Sequence, residues 1–285
     1  MLPVLSTQAA VHYVKAGASG DGSSWANATG SLQAAINAAQ AGDEVWVAAG
    51  TYRPDSLIKA SRKTSKAFFM KNGVSLYGGF AGNEASKADR QMGASGKPYD
   101  FANVTILDGD DDVPDVWKRA IASGTTYRYT WEVETASNGQ QQVTGTQGNS
   151  SHLLYSTSVF TDATAINGFT LKGANANVAT AKPSGAAVYA LGNVQVSQCR
   201  FTECSAYFTA QSTTSSDSYG GAVYIAGSTD KKASVADCHF SKMYCHSSFG
   251  NGIGGAVSAS NANVSNCEFT DCVAEDAGGA VAAFN

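Results

Sequence analysis

Charged side chains are scarce in this sequence, and basic residues nowhere form a run. Only 15% of the 285 residues are charged, and the formal net charge is -4. Proteins that bind nucleic acid need clustered lysine and arginine side chains to meet the phosphate backbone. The composition therefore argues against nucleic acid as a partner.

Long apolar runs are also missing. No stretch approaches the roughly 20 apolar residues that a helix needs to cross a bilayer, so no membrane-spanning segment is predicted. The N-terminus has no basic region and only the short apolar piece LPVL, although STQAA has the small residues of a cleavage site. We interpret residues 1–11 as the remnant of a secretory leader or as a disordered segment.

Catalytic motifs are absent from the sequence as well. The four histidines lie in separate segments, and there is neither a G-x-S-x-G elbow nor an H-E-x-x-H helix. No residue is therefore predicted to be catalytic, and no cofactor is predicted apart from the calcium considered below. The hydrophobic fraction of 43% still suffices for a buried core.

What the sequence does contain is an internal repeat. The segments SGAAVYA, YGGAVYI, IGGAVSA and AGGAVAA recur, and between them lie VSQCRFTEC, VADCHFSKMYC and VSNCEFTDC. Each unit predicts two short strands with turns, and strands this short bury a face only when similar units stack on one another. The prediction is an all-β fold, a parallel β-solenoid, with clear repeats over residues 184–285.

The six cysteines occupy the second half of each repeat. Residues i and i+2 of a strand share a face, so the cysteine and the phenylalanine of each Cys-x-Phe segment should both point inward. These pairs are Cys199 with Phe201, Cys238 with Phe240, and Cys267 with Phe269. Free, buried thiols that fill the core are the favoured interpretation. Disulfides between neighbouring units and a zinc site are the less favoured alternatives.

The units resemble the polymorphic outer membrane protein repeat of exported bacterial proteins, which is marked by a GGAI-type and an FxxN tetrapeptide. The GGA half matches at residues 220–222 and 254–256, whereas Cys204, Met243 and Cys272 replace the asparagine of FxxN. The resemblance implies a right-handed parallel β-helix and a location in the secreted fraction, the outer membrane or the cell surface. The segment at residues 12–52 is also similar to the start of many secreted β-helix proteins, lyases and glycosidases included.

A short amphipathic helix is predicted within that N-terminal segment, by SLQAAINAAQAG. Its N-cap would be Ser31 and its C-cap Gly42. Its apolar face would be formed by Leu32, Ala35, Ile36 and Ala39. Such a helix would cover the end of the solenoid. At the other end no Cys-x-Phe strand follows the last GGAV, so we expect residues 12–285 to be one β-helix domain and a fragment of a longer chain.

Residues from about 113 to 150 interrupt the repeat pattern. Here TYRYTWEVETASNGQQQVTG alternates apolar and polar residues on both sides of an Asn-Gly pair, which predicts an inserted β-hairpin. Tyr127, Tyr129 and Trp131 lie on its aromatic face. Two interpretations stay open: the rings pack against the solenoid wall, or they form a weak candidate platform that binds glycans.

An acidic run, LDGDDDVPD, precedes this insert. Asp108, Asp110 and Asp112 are candidate ligands for calcium. As an EF-hand loop, however, the run has Val113 where glycine is required and Arg119 where glutamate is required. A solvated acidic turn is the alternative.

The function expected from these features is a non-enzymatic, adhesin-like scaffold that binds glycans or host-cell and cell-surface molecules. The alternative is a polysaccharide lyase or glycoside hydrolase with its site on the outer face of the β-helix, because similar N-terminal segments also open such enzymes. A row of acids and a base meeting in one groove would favour the enzyme.

Overall fold

Strands dominate the computed structural model, which describes residues 9–121, 129–135, 141–177, 183–208, 217–228, 230, 233–247 and 250–284. Strand makes up 49% and helix 5%, so the chain is all-β. The α-helix α1 spans Leu32–Ala38, and 3-10 turns lie at Lys87–Asp89 and Thr146–Gly148. No helix in the described part of the chain is long and apolar enough to cross a membrane.

The strands are short, and most contain two to five residues. In chain order they are β1 (Val11–Val14), β2 (Glu44–Ala48), β3 (Gly50–Tyr52), β4 (Ser56–Leu57), β5 (Lys66–Phe69), β6 (Ser75–Phe80), β7 (Thr105–Asp108), β8 (Arg119–Ile121), β9 (Tyr129–Trp131), β10 (Val133–Thr135), β11 (Gln141–Val143), β12 (Leu154–Tyr155), β13 (Phe160–Asn167), β14 (Phe169–Lys172), β15 (Asn175–Ala176), β16 (Val188–Ser197), β17 (Arg200–Phe208), β18 (Ser218–Tyr219), β19 (Val223–Ala226), β20 (Ala233–Ala236), β21 (His239–Ser247), β22 (Gly252–Ile253), β23 (Val257–Ser260), β24 (Ala262–Ser265), β25 (Glu268–Ala274) and β26 (Val281–Phe284).

Three parallel ladders make up the architecture. The first ladder contains β1, β2, β6, β13, the second half of β16, β20 and β24. The second ladder contains β3, β7, β14, β17, β21 and β25. The third ladder contains β5, β12, the first half of β16, β19, β23 and β26.

The chain visits these ladders in a fixed order. After β12 of the third ladder come β13 of the first and β14 of the second, and the same order returns in β16 and β17. It returns again in β19 to β21 and in β23 to β25. This order, with every neighbouring pair parallel, is consistent with the parallel β-solenoid that the repeats predict.

Inward side chains of each ladder form apolar columns. In the first ladder the buried, in-register column is Val45, Leu76, Ile166, Val196 and Val235. In the third ladder it is Phe68, Leu154, Val188, Val223 and Val257. Neighbouring strands lie about 4.8 Å apart, so each apolar side chain covers the next one and the columns exclude water.

The Cys-x-Phe segments take the predicted orientation in the second ladder. Phe201 stacks on Phe240 with ring centroids 4.5 Å apart, and Phe240 stacks on Phe269 at 5.1 Å. The first two rings are fully buried, and Phe269 is partly buried. All six cysteines are free; four are buried, and Cys267 and Cys272 are partly exposed. The packing interpretation of the cysteines therefore describes the structure.

Two sharp bends in each of the last three repeats place residues other than glycine in the left-handed region. The bends that precede the Cys-x-Phe segments lie at Gln198, Asp237 and Asn266, with φ of 53°, 55° and 48°. The bends inside the following strands lie at Glu203, Lys242 and Asp271, with φ of 56°, 57° and 54°. This conformation is costly for L-residues, and neighbouring repeats brace it: Lys242 Nζ donates to Glu203 Oε1 at 2.6 Å.

The GGAV segments need glycine for two physical reasons. Gly220 and Gly254 have φ of +62° and +73°, a region that glycine enters without a steric penalty. The second glycine lies where repeats touch, because a Cβ on Gly221 would stand 2.2 Å from the carbonyl oxygen of Gly255. A larger residue there would push successive repeats apart.

The predicted helix is present as α1, with one cap in a different place. Ser31 is the N-cap, and its hydroxyl accepts a hydrogen bond from the Ala34 amide at 3.1 Å. The C-cap is Ala39 and not Gly42, because the chain becomes extended there and Gly42, at φ +97°, belongs to the following turn. The predicted apolar face is buried, namely Leu32, Ala35, Ile36 and Ala39.

Candidate functional site

Trp131, one of the three aromatic residues predicted to bind a ligand, is buried against the second ladder. Its side chain is 3% exposed and belongs to a cluster with Val143, Tyr207 and Tyr244. The indole N–H donates a hydrogen bond to the Met243 carbonyl oxygen at 3.1 Å. The ring is thus covered by side chains of the insert and of the second ladder and is not presented to a glycan. Of the two interpretations of this residue, packing describes the structure.

The inserted hairpin is shorter than the alternation predicts. β10 pairs antiparallel with β11 as expected, but β9 pairs with β8 instead of continuing the same hairpin. The break lies at Glu132, whose amide donates to the Lys118 carbonyl oxygen at 2.8 Å, and the two side chains form an ion pair at 2.7 Å. Tyr127 lies outside the described residues, and only the backbone of Tyr129 is described.

Asp108, Asp110 and Asp112, the three predicted calcium ligands, make hydrogen bonds and ion pairs with the chain's own groups. Arg53 donates to Asp108 at 3.2 Å and to Asp112 at 2.6 Å, and Lys172 lies 3.6 Å from Asp108. Asp110 accepts a hydrogen bond from the Asp112 amide at 2.9 Å. Among the described residues, no group of three or more His, Cys, Asp or Glu side chains could hold a metal ion. The run is an ion-paired acidic turn.

A stack of tyrosines follows the outer face of the third ladder. Tyr155, Tyr189 and Tyr224 are in register on β12, β16 and β19. Their ring centroids are 5.1 and 5.2 Å apart, with angles of 22° and 19° between ring planes. Each ring therefore covers a face of its neighbour. Tyr224 is the last of the three, and the ring of Tyr219, which is not part of the stack, lies 5.9 Å from it at an angle of 55° between ring planes.

This stack ends because the next in-register residues are small. Ser258 follows Tyr224, and Ala282 follows Ser258. A cavity of about 260 Å³ opens there, which we name the tyrosine slot. Its lining consists of Ser184, Tyr189, Tyr219, Tyr224, Ser258, Ser260 and Phe284. Tyr219 and Phe284 meet edge to face with ring centroids 6.4 Å apart and bound the tyrosine slot.

Aromatic rings and hydroxyl groups together line the tyrosine slot. Burial raises the pKa of Tyr189 to about 12, and burial together with a hydrogen bond to Asp217 raises the pKa of Tyr219 to about 12. Both phenols are therefore neutral at physiological pH. The Ser184 hydroxyl is buried and has no hydrogen-bond partner among the described residues. Apolar ring faces with hydroxyl groups beside them suit a sugar ring, which has an apolar face and polar edges.

The alternation of side chains along a strand explains why two rings of the tyrosine slot point outward. Tyr189 and Tyr224 follow the inward valines Val188 and Val223, so they point outward. Neither tyrosine was among the predicted site residues. The signal was present in the sequence, because the residue after this valine is tyrosine in two repeats and then serine and alanine. Comparing outward positions between repeats would have found it.

A row of charged residues lies on the outer face of the second ladder, where Arg200, His239 and Glu268 are in register. A loop covers this row: the Tyr99 ring stacks on His239 at 5.3 Å, and its hydroxyl donates to Glu268 at 2.7 Å. Arg200 donates to Asp100 of the same loop at 2.9 Å. The neighbouring cavity has a volume of only about 40 Å³. The row therefore holds a loop in place and does not face an open groove.

No family model, curated protein or solved structure matches this chain. The resemblance to the polymorphic outer membrane protein repeat thus has no support beyond the residues that carry it. The stacked parallel ladders support the fold, and the candidate site is the tyrosine slot.

Proposed function

We propose that this chain is a non-enzymatic scaffold, a right-handed parallel β-helix of polymorphic-repeat type, that binds glycans in the tyrosine slot. Its place is the secreted fraction or the cell surface, and its role is adhesin-like. The parallel ladders and the GGAV segments support the fold side of the proposal. Helix α1 packs on the core beside β1, β2 and β5, which suits a cover for that end of the solenoid.

The observation that carries the proposal is the cavity at the end of the stack, beside Tyr224, whose ring meets the ring of Tyr219 only at a tilt, with ring centroids 5.9 Å apart and 55° between ring planes. An aromatic face is the surface on which the C–H face of a sugar ring packs, and Tyr189, stacked on Tyr224 at 5.2 Å, holds this ring in place. The side chains of Ser184, Ser258 and Ser260 line the same cavity, so sugar hydroxyl groups can exchange hydrogen bonds with protein instead of water.

Glycan binding can be tested on the intact chain with a panel of neutral, amino and acidic oligosaccharides, using calorimetry. For the best-binding oligosaccharide, Tyr224→Ala should weaken affinity at least tenfold, about 1.4 kcal/mol, because the stacking face is removed. Tyr155→Ala is the matched control: it removes a tyrosine from the same stack but does not line the tyrosine slot. Its affinity should stay within about twofold of the wild type.

Equal losses in the two variants would show that the stack matters only for stability. Failure of every oligosaccharide to bind the wild-type chain would refute the glycan proposal itself. Circular dichroism of both variants, with the wild type alongside, separates lost binding from lost folding.

The enzyme alternative, a polysaccharide lyase or glycoside hydrolase, has one observation in its favour. Burial raises the pKa of Asp115 to about 7, while Asn149 donates to this carboxyl at 3.0 Å. A carboxyl that stays protonated near neutral pH can act as a general acid. We expect no cleavage products when the panel is incubated with the chain, with or without calcium. Products that form with the wild type and vanish in Asp115→Asn would establish the enzyme instead.

A further inference from the structure

We infer that the tyrosine slot takes a single ring of its ligand, at a chain end or a side branch, and not a run of consecutive sugars. This inference rests on the proposed function and specifies the class of glycan: polymers rich in free ends or in one-residue branches. Three features of the tyrosine slot carry it.

The first feature is the orientation of the tyrosine rings. A platform for several consecutive sugars needs several ring faces side by side, each open to the ligand. In this stack the faces of Tyr155 and Tyr189 turn toward their neighbours, at 5.1 and 5.2 Å and nearly parallel. The faces inside the stack are therefore already in contact with protein. Tyr224 ends the stack, and the ring of Tyr219 lies 5.9 Å from it at an angle of 55°, which leaves stacking room for a single ring.

The second feature is the depth of the space above Tyr224. Ser258 and Ala282 are the next two residues in register, and each strand adds about 4.8 Å. Ring atoms in van der Waals contact need about 3.5 to 4 Å on each side. The space thus admits one ring in the position that a further tyrosine would have in the stack. Tyr219 and Phe284, which bound the cavity, restrict room for a second ring beside it.

The third feature is the hydrogen-bonding capacity of the walls. The buried Ser184 hydroxyl has no partner among the described residues, although buried hydroxyl groups are usually satisfied. Ser184 is bridged to Tyr219 in the backbone, so its position is fixed. The Ser184 hydroxyl has to turn toward the cavity, where a hydroxyl group of one inserted ring would satisfy it. A polymer lying across the outside of the cavity would not reach it.

A length series tests the inference directly. The probes are β-1,4-linked oligomers of glucose, of mannose and of N-acetylglucosamine, from monomer to hexamer, and calorimetry gives the affinity of each. Because one ring makes the contacts, affinity within the binding series should change by no more than about threefold from dimer to hexamer. A steady rise with each added sugar would overturn the single-ring mode while leaving glycan binding intact. No binding by any probe, after a negative panel, would remove both proposals.

Filling the tyrosine slot with a ring of the protein itself gives a second test. In Ser258→Tyr the new ring continues the stack above Tyr224 and occupies the ligand's position, so binding of the best oligomer should fall at least tenfold. The melting temperature should not fall, because an aromatic neighbour is added and a cavity is filled. Ser234→Tyr is the control, since it adds the same ring at an outward position of the first ladder that does not line the tyrosine slot, and it should change affinity by less than about threefold. Undiminished binding in a folded Ser258→Tyr chain would show that the ligand lies elsewhere.

Discussion

His152 lies at the base of the tyrosine stack as a buried, neutral imidazole. It is 3% exposed, and its ring lies 5.1 Å from that of Tyr155. Its Nδ1 stands 3.0 Å from the Gly185 carbonyl oxygen, and because a carbonyl only accepts, Nδ1 carries the proton and donates. Burial lowers the pKa of His152 to about 4. The imidazole thus supports the stack only while it stays uncharged.

This burial predicts a loss of stability in acid. Between pH 6.5 and 4 the unfolded chain binds a proton at His152 that the folded chain does not, so the stabilising contribution is complete above pH 6.5 and is lost as the pH falls through about 4. The full contribution is about 3 kcal/mol. Denaturant unfolding at a series of pH values in this range should show that the free energy of unfolding declines less in His152→Gln than in the wild type. An imidazole that titrates near pH 6.5 in the folded chain, seen by NMR, would contradict the assignment.

Inward or outward orientation is the part of this fold that single residues predict well. Cys199 and Phe201 are buried together because alternation in a strand is a local property, and the same rule holds in the next repeat. The tyrosine slot cannot be predicted from alternation within one strand. It depends on Tyr224 meeting Ser258 across two strands, and only the register between separate repeats decides that pairing.

At the scale of one element, the phenylalanine column is the clearest source of stability in the second ladder. Phe240 lies between Phe201 and Phe269, with ring planes 4° and 10° from parallel. Phe240→Ala would leave a cavity in the middle of this column, and we expect the free energy of unfolding to fall by about 3 to 5 kcal/mol. Phe269→Ala is the matched control and should cost less, because that ring is partly exposed.

Urea unfolding of the two variants, with the m-value compared to that of the wild type, measures both effects. An equal or larger cost for Phe269→Ala would mean that Phe240 is not the centre of the column. A change in the m-value would indicate that the variant alters how much surface unfolding exposes, and not the column alone.

In the insert, the sequence predicts the strand pairing but not how the strands pack. Its alternation correctly predicts an antiparallel pairing, since β10 and β11 do pair. Alternation cannot say whether an aromatic face meets water or another part of the chain, and Trp131 meets the wall formed by Tyr207 and Tyr244. Nor can alternation predict that β9 pairs with β8, or that Lys118 and Glu132 form an ion pair beside these strands. These outcomes depend on contacts between residues far apart in sequence.

Across the whole molecule, buried phenols link the stability of the fold to alkaline pH. Burial raises the pKa of Tyr52 and of Tyr189 to about 12. Tyr52 belongs to β3 near the start of the second ladder, and its hydroxyl donates to the Ala48 carbonyl oxygen at 3.0 Å. Tyr189 belongs to the third ladder. Alkaline titration therefore probes two of the parallel ladders at once.

The sign of this linkage predicts how the molecule unfolds in base. The folded pKa of Tyr189 lies above the unfolded value of about 10, so its contribution is complete below pH 10 and is lost as the pH rises through about 12. We expect the melting temperature to be level up to pH 10 and to fall between pH 10 and 12. Tyr189→Phe keeps the stacked ring but removes the ionisable hydroxyl group. The free energy of unfolding should therefore decline over this pH range by about 1 to 2 kcal/mol less in this variant than in the wild type, after solvent screening. The difference in phenolate absorbance between the wild type and Tyr189→Phe isolates this one phenol, and a difference that develops near pH 10 in the folded chains would contradict the burial of Tyr189. Identical declines in both proteins would show that Tyr189 takes no part.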